Sequence, residues 1–151
     1  MDVSKLKFLE NSTKSLLLIS HGLIQEIITL VDRIQVAVRA AASALKRRCG
    51  GDVEHQPGYR QMLIEMTVYL NAAVTAFDLR REVQPLVESP LRVVYGVYDL
   101  QSLRVRASPD KPGDDVRSVD GALAEAPAHA EDFADIAALL AERVATKGML
   151  E

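Results

Sequence analysis

Apolar residues in the first third of the chain recur at alternating three- and four-residue steps, the spacing of one face of a helix. Leu16, Leu23 and Leu30 flank this stripe every seven residues and widen it. A stripe this broad is typical of a bundle helix rather than of a two-stranded coiled coil. We predict a long helix that begins near residues 11–13 and ends at Gly50-Gly51. The stripe consists of Leu17, Ile24, Ile27, Val31, Ile34, Val38, Ala41 and Leu45.

A second helix is predicted from Pro57 or Tyr59 to Arg81, because its apolar residues follow the same steps. The connection between Gly50 and Gly58 is short, which makes the two helices antiparallel neighbours. The stripe of this helix comprises Tyr59, Leu63, Met66, Leu70, Ala73 and Phe77.

The segment from Leu91 to Val105 has two interpretations. Its valines and tyrosines favour a strand, and Gly96 weakens a helix. A single hairpin beside a helical pair would lack a sheet partner, however, and Leu91, Val94 and Tyr98 keep helical spacing. We therefore favour a helix here.

The last third of the chain differs from the rest in charge. Up to Ser108 there are 14 Lys and Arg against 11 Asp and Glu, a balance of +3; from Pro109 onward there are 4 against 10, a balance of −6. A Pro/Gly/Asp-rich loop marks the change.

The predicted fold is all-α: a small antiparallel helical bundle at 1–108, followed at 109–151 by an acidic loop and a terminal helix packed on the bundle. This helix is predicted to begin near Ala130 and to be weakly held on the bundle. Its apolar face consists of Phe133, Ile136, Ala137, Leu140 and Val144.

Composition narrows the function classes. The 151 residues include one cysteine, Cys49, and three dispersed histidines, so no set of residues has zinc-ligand spacing, and we expect no metal, cofactor or enzymatic activity. The net charge of −3 argues against nucleic-acid binding.

The apolar window from Ser15 to Val31 contains His21, Gln25 and Glu26, which argues against membrane insertion and favours a cytoplasmic protein. A less favoured alternative is a histidine phosphotransfer or dimerisation domain that uses His21.

Three segments resemble the flagellin export chaperone (FliS) family, over roughly residues 8–105. Residues 8–24, FLENSTKSLLLISHGLI, are similar to the opening of that family's first long helix. Residues 70–79 resemble the end of its second helix, with the pair Phe77-Asp78, and Leu91-Arg92-Val93-Val94-Tyr95 is similar to a Leu-x-x-Leu-Tyr stretch in its third.

The resemblance implies a binding protein in which a helical bundle holds an amphipathic or disordered client, such as the carboxy-terminal segment of flagellin, in a hydrophobic groove before export. A client helix would insert apolar anchors at helical spacing. Candidate groove residues are Leu16, Leu23, Leu30, Met62 and Met66. An uncovered groove is equally compatible with a homodimeric helical scaffold or adaptor, and this alternative stays open.

Overall fold

A computed structural model describes the backbone of residues 3–100, 103–109 and 123–148, with side chains over 25–100, 103–109 and 123–146. The described residues are predominantly helical, as predicted, and contain α1 (Val3–Cys49), α2 (Tyr59–Val83) and α3 (Asp132–Gly148). Four short strands accompany them: β1 (Val94–Tyr95), β2 (Val97–Asp99), β3 (Arg104–Arg106) and β4 (Ala124–Glu125). The chain divides into two compact units, residues 1–32 and 33–151.

The structure agrees with the predicted carboxy end of α1 but not with its predicted start. Its carboxy end agrees with the prediction: Lys46, Arg47 and Arg48 occupy the last turn, and Gly50 (φ +97°) leaves the helix in the left-handed region that glycine tolerates. Its start does not, because the helix already begins at Val3 and continues through residues 11–13. Asn, Ser and Thr inside a helix each cost only tenths of a kcal/mol relative to the better helix formers, so they do not force an end.

The main core joins the carboxy-terminal part of α1 to α2 and α3. Small residues of α1 lie fully buried against larger side chains of the other two helices, which lets the helix axes approach closely. The buried residues of this cluster are Ala37, Ala41, Ala44, Leu45, Met66, Tyr69, Leu70, Ala137, Leu140, Ala141 and Val144.

The prediction of a helix at residues 91–105 is wrong. β1 and β2 occupy this stretch, and β2 pairs with β3 in an antiparallel hairpin with Tyr98 opposite Val105. β1 pairs with β4, so that Tyr95 lies opposite Ala124. β4 thus supplies a partner for β1, while the β2–β3 hairpin forms a separate two-stranded sheet. Both pairings favour strands for these valines and tyrosines.

A second buried cluster attaches β1 and β4 to α2. Ala73, Ala76, Tyr95 and Ala126 are buried together, and burial raises the pKa of the Tyr95 phenol. The Phe77 and Phe133 rings meet edge to face with centroids 5.3 Å apart, so this cluster also connects α2 to the start of α3.

The start of α3 lies close to the predicted position near Ala130, and much of the predicted apolar face of the helix is buried. Leu140, Ala141 and Val144 are almost completely inaccessible. Arg143 also donates hydrogen bonds to the Ser108 hydroxyl and to the Pro109 carbonyl oxygen, the latter at 3.1 Å. α3 therefore contributes directly to the core of the second unit.

Candidate helix-binding surface

The five candidate groove residues have different environments. Leu30 is exposed on α1, with 53% of its surface accessible. Met62 is half-buried and packs against the main core, whereas Met66 is completely buried within it and has no surface to offer a client. Leu16 and Leu23 lie outside the residues whose side chains are described. Of the five, Leu30 alone has a described side chain that is exposed.

Leu30 belongs to an apolar surface that extends along α1. All eight side chains at 25–32 are exposed, and four of them are large and apolar: Ile27 (52%), Ile28 (46%), Leu30 (53%) and Val31 (45%). Ile34 follows one turn later and is also exposed. We call these five residues the α1 apolar face.

This surface contains residues that the sequence pattern assigned to the stripe facing the bundle. Ile27, Val31 and Ile34 belong to the predicted stripe but are exposed, and the first buried residue among the described side chains of α1 is Ala37. A periodic stripe identifies the apolar side of a helix and does not specify how much of its length other elements cover. The signal for exposure was the widening of the stripe by Leu23, Ile28 and Leu30, because a helix with apolar residues over so broad an arc needs several neighbours.

Charged groups border the α1 apolar face. Glu26 and Asp32 are exposed. The Arg33 guanidinium forms an ion pair with Asp78, with Nε 3.2 Å from Oδ2, and Arg81 forms a second ion pair with the same carboxylate at 3.6 Å. The Arg33–Asp78 ion pair joins α1 to α2 within the second unit.

Two further apolar surfaces lie elsewhere. The outer face of the β2–β3 hairpin exposes Tyr98, Leu100, Leu103 and Val105, with Leu103 at φ +54°. Ile64 and Val68, one turn apart on α2, are also exposed. Neither surface has as many neighbouring large aliphatic side chains as α1.

The described residues contain no group of three or more His, Cys, Asp and Glu side chains placed to hold a metal ion. Cys49 is half-buried and forms no disulfide. The side chain of His21, the alternative phosphotransfer residue, lies outside the described set, so that alternative remains a prediction.

The apolar composition of α2 raises the question of a membrane span. Within the described residues, the stretch Tyr59–Leu86 is long and apolar enough to cross a bilayer, and about a third of its most apolar window is buried inside the protein. The buried positions include Met66, Leu70 and Ala73, which belong to the two core clusters. The core helix of a water-soluble protein has the same length and composition, so this property alone does not assign a location.

No protein-family model, no curated protein and no solved structure matches this chain. The class of protein is therefore defined by fold alone: a small, predominantly helical protein with short accessory strands.

Proposed function

We propose that this chain is a non-catalytic, cytoplasmic binding protein that takes up an amphipathic helix of another polypeptide on the α1 apolar face. The observation that carries the proposal is the exposure of Ile27, Ile28, Leu30 and Val31 side by side on one helix. Large aliphatic side chains clustered at a surface are costly to leave in water and favour a partner that covers them.

The chemistry of the surface favours a helical partner. Its apolar positions follow the i, i+3, i+4, i+7 spacing from Ile27 to Ile34, which matches a partner whose own anchors recur every three or four residues. Among the residues at 25–31, Glu26 is the one charged side chain, so an incoming helix meets little charge to desolvate.

The resemblance to flagellin export chaperones suggests the first client to test, the carboxy-terminal segment of a flagellin. A disordered client loses conformational entropy when it orders on the surface, so we expect moderate affinity. Holding such a segment would keep it from premature assembly, which is the role the resemblance implies.

The experiment measures the binding of a fluorescently labelled flagellin carboxy-terminal peptide to the full chain by anisotropy. Leu30→Asp removes an apolar anchor and places a charge in the contact, so we expect affinity to fall by about tenfold or more. Thr29→Asp is the matched control, since it adds the same charge at an exposed polar position on the opposite side of the same helix. Both variants should keep the helical circular dichroism signal of the parent chain.

Two results contradict the proposal. One is equal loss of affinity in both variants, because a general charge effect would then explain the change. The other is absence of binding by the parent chain to this peptide and to an unrelated amphipathic helical peptide of the same length, because no helix would then be taken up.

A further inference from the structure

We propose that the fold presents Ser89 as the acceptor of a phosphoryl group from a Ser/Thr kinase that selects a proline directly after the acceptor and a basic residue two positions further on. The inference goes beyond the proposed function, because Ser89 lies outside the α1 apolar face. It assigns a modification site to the loop between α2 and β1.

Two tetrapeptides in the chain share one pattern. Residues 89–92, SPLR, and residues 108–111, SPDK, each place a proline directly after a serine and a cation at the third position after it. These are the two places in the sequence where proline follows Ser or Thr, and Lys and Arg make up only 18 of the 151 residues. A cation at the same distance in both tetrapeptides is therefore more than composition alone would supply.

This pattern contains features that a kinase can recognise in an extended segment. Proline has no backbone N–H, so a kinase pocket that offers no acceptor for that N–H favours proline over the other residues. A cation three residues after the acceptor can pair with an anionic group of the kinase. The acceptor hydroxyl, the proline and the cation must all be accessible at once for the segment to bind.

The loop that carries Ser89 meets this requirement. The side chains of residues 85–90 are all exposed, and Leu86 among them is 81% exposed. Val87 has extended backbone angles, φ −124° and ψ 142°. Proline disfavours the helical conformation for the residue before it, which here is Ser89. The loop can therefore enter a kinase cleft as an extended segment.

Gln84 holds this loop through backbone groups and does not use the Ser89 hydroxyl. Its Nε2 donates to the Ser89 carbonyl oxygen at 3.3 Å, and the backbone N–H of Leu91 donates to its Oε1 at 2.8 Å. Hydrogen bonds near the surface are largely replaced by bonds to water when they break. A kinase can therefore release the loop without unfolding the elements on either side.

Arg92, the cation of this tetrapeptide, is also accessible. Its side chain is 78% exposed, and its Nε lies 2.8 Å from Oε1 of Glu125, whose side chain is 66% exposed. An ion pair this exposed contributes little stability because water screens it. The guanidinium can therefore turn to an anionic group of the kinase while the backbone pairing of β1 with β4 is kept.

Ser108 has the same pattern in the opposite environment. It is half-buried, and its hydroxyl accepts a hydrogen bond from Arg143. Pro109 is almost completely buried, and its carbonyl oxygen accepts a second hydrogen bond from Arg143 at 3.1 Å. A proline cannot enter a kinase pocket while it is buried in its own protein, so the folded chain withholds Ser108.

The modification transfers the γ-phosphoryl group of ATP. The Ser89 Oγ attacks the γ-phosphorus, and the new O–P bond forms as the bond from phosphorus to the β–γ bridging oxygen breaks. The hydroxyl proton passes to a carboxylate of the kinase, and ADP leaves. The phosphate carries about −1.5 to −2 charges at pH 7, so the net charge of the chain changes from −3 to about −5. Ser89 belongs to neither buried cluster, so we expect the fold to be kept.

The experiment incubates the folded full chain with a purified proline-directed Ser/Thr kinase and ATP, and mass spectrometry measures the occupancy of each serine. We expect phosphate on Ser89 and none on Ser108. Ser89→Ala should remove this incorporation, and Ser108→Ala, the matched control, should leave it unchanged. Pro90→Ala should lower the initial rate by about tenfold or more, because it restores an N–H for which the kinase has no acceptor.

Synthetic peptides of residues 84–96 and 103–115 separate the effect of the fold from that of the sequence. Both contain the pattern, so we expect the kinase to modify both peptides. Modification of Ser108 in the folded chain at a rate comparable with that of Ser89 overturns the inference. It is also overturned if Ser89 stays unmodified in the folded chain or in its peptide, or if Pro90→Ala reacts as fast as the parent chain.

Discussion

Asp132 organises the backbone at the beginning of α3. Its Oδ2 accepts hydrogen bonds from the backbone N–H groups of Ala128 and His129, at 2.8 and 2.9 Å. The hydrogen bond from His129 is the largest cause of a pKa below the ordinary value for this carboxyl, and the bond from Ala128 and the nearby His129 charge lower it further. The ionised carboxylate is therefore the form that the folded protein favours.

This arrangement predicts the direction of a pH effect. Because the folded-state pKa of Asp132 is lowered, its contribution to the free energy of unfolding is present above the unfolded-state pKa and is lost as the pH falls through the folded-state value. Denaturant unfolding between pH 6 and about pH 3 should show less acid sensitivity in Asp132→Asn than in the parent chain. Asp135→Asn, an exposed carboxyl in the same first turn, is the control. Equal acid sensitivity of Asp132→Asn and the parent chain would contradict this assignment.

Adjacent leucines in α3 provide a test of core packing at the level of a single residue. Leu140 is 1% exposed in the main core, while Leu139 is 44% exposed. Leu140→Ala leaves a cavity and should lower the free energy of unfolding by about 2–5 kcal/mol, whereas Leu139→Ala should change it by about 0.5 kcal/mol or less. Chemical denaturation of both variants measures the difference. Similar small losses in the two variants would mean that α3 is not held in the core.

At the scale of elements, the ends of helices were predictable where a residue at the boundary has a strong conformational preference of its own. The start of α2 and the end of α1 lie beside Gly58 and Gly50, whose positive φ angles suit glycine and few other residues. The start of α1 was misplaced because residues 11–13, which are good caps, are also tolerated within a helix.

β1 was not predictable as a paired strand because its partner, β4, is distant in sequence, whereas β2 pairs locally with β3. Val94 pairs with Glu125, and the backbone N–H of Ala126 donates to the Val93 carbonyl oxygen at 2.8 Å. A local pattern at 91–105 contains no information about a strand some 30 residues later. The same limit applies to the candidate site: the pattern located the apolar side of α1 but contained no information about which of its residues pack against α2 and α3.

At the scale of the whole molecule, α3 and β4 complete two clusters that the rest of the second unit begins. Phe133 packs on Phe77, and the Arg80 guanidinium donates to the Ala126 carbonyl oxygen at 3.2 Å. Leu140 and Val144 fill the main core beside Leu70. Removing these elements exposes buried surface in both clusters at once.

We therefore expect truncation after Ser108 to abolish cooperative unfolding, in contrast to the soluble, stable core that a weakly attached terminal helix would leave behind. Apolar side chains exposed in two clusters each lose about 1.5–3 kcal/mol of burial energy, which is large compared with the usual stability of a small domain. Thermal unfolding followed by circular dichroism, together with limited proteolysis, tests this expectation. A truncated chain with a sharp transition near that of the full chain would show that α3 is dispensable.

The shared core of α1 and α3 also has a kinetic consequence. Ala41 and Leu140 belong to one buried cluster although about a hundred residues of chain separate them. Contacts this distant in sequence slow folding, and they cannot form on the ribosome until α3 has left the exit tunnel. The small alanines of α1 therefore stay unpacked while the intervening hundred or so residues are synthesised, so a nascent chain halted before α3 would present its unfinished core to other proteins in the cell.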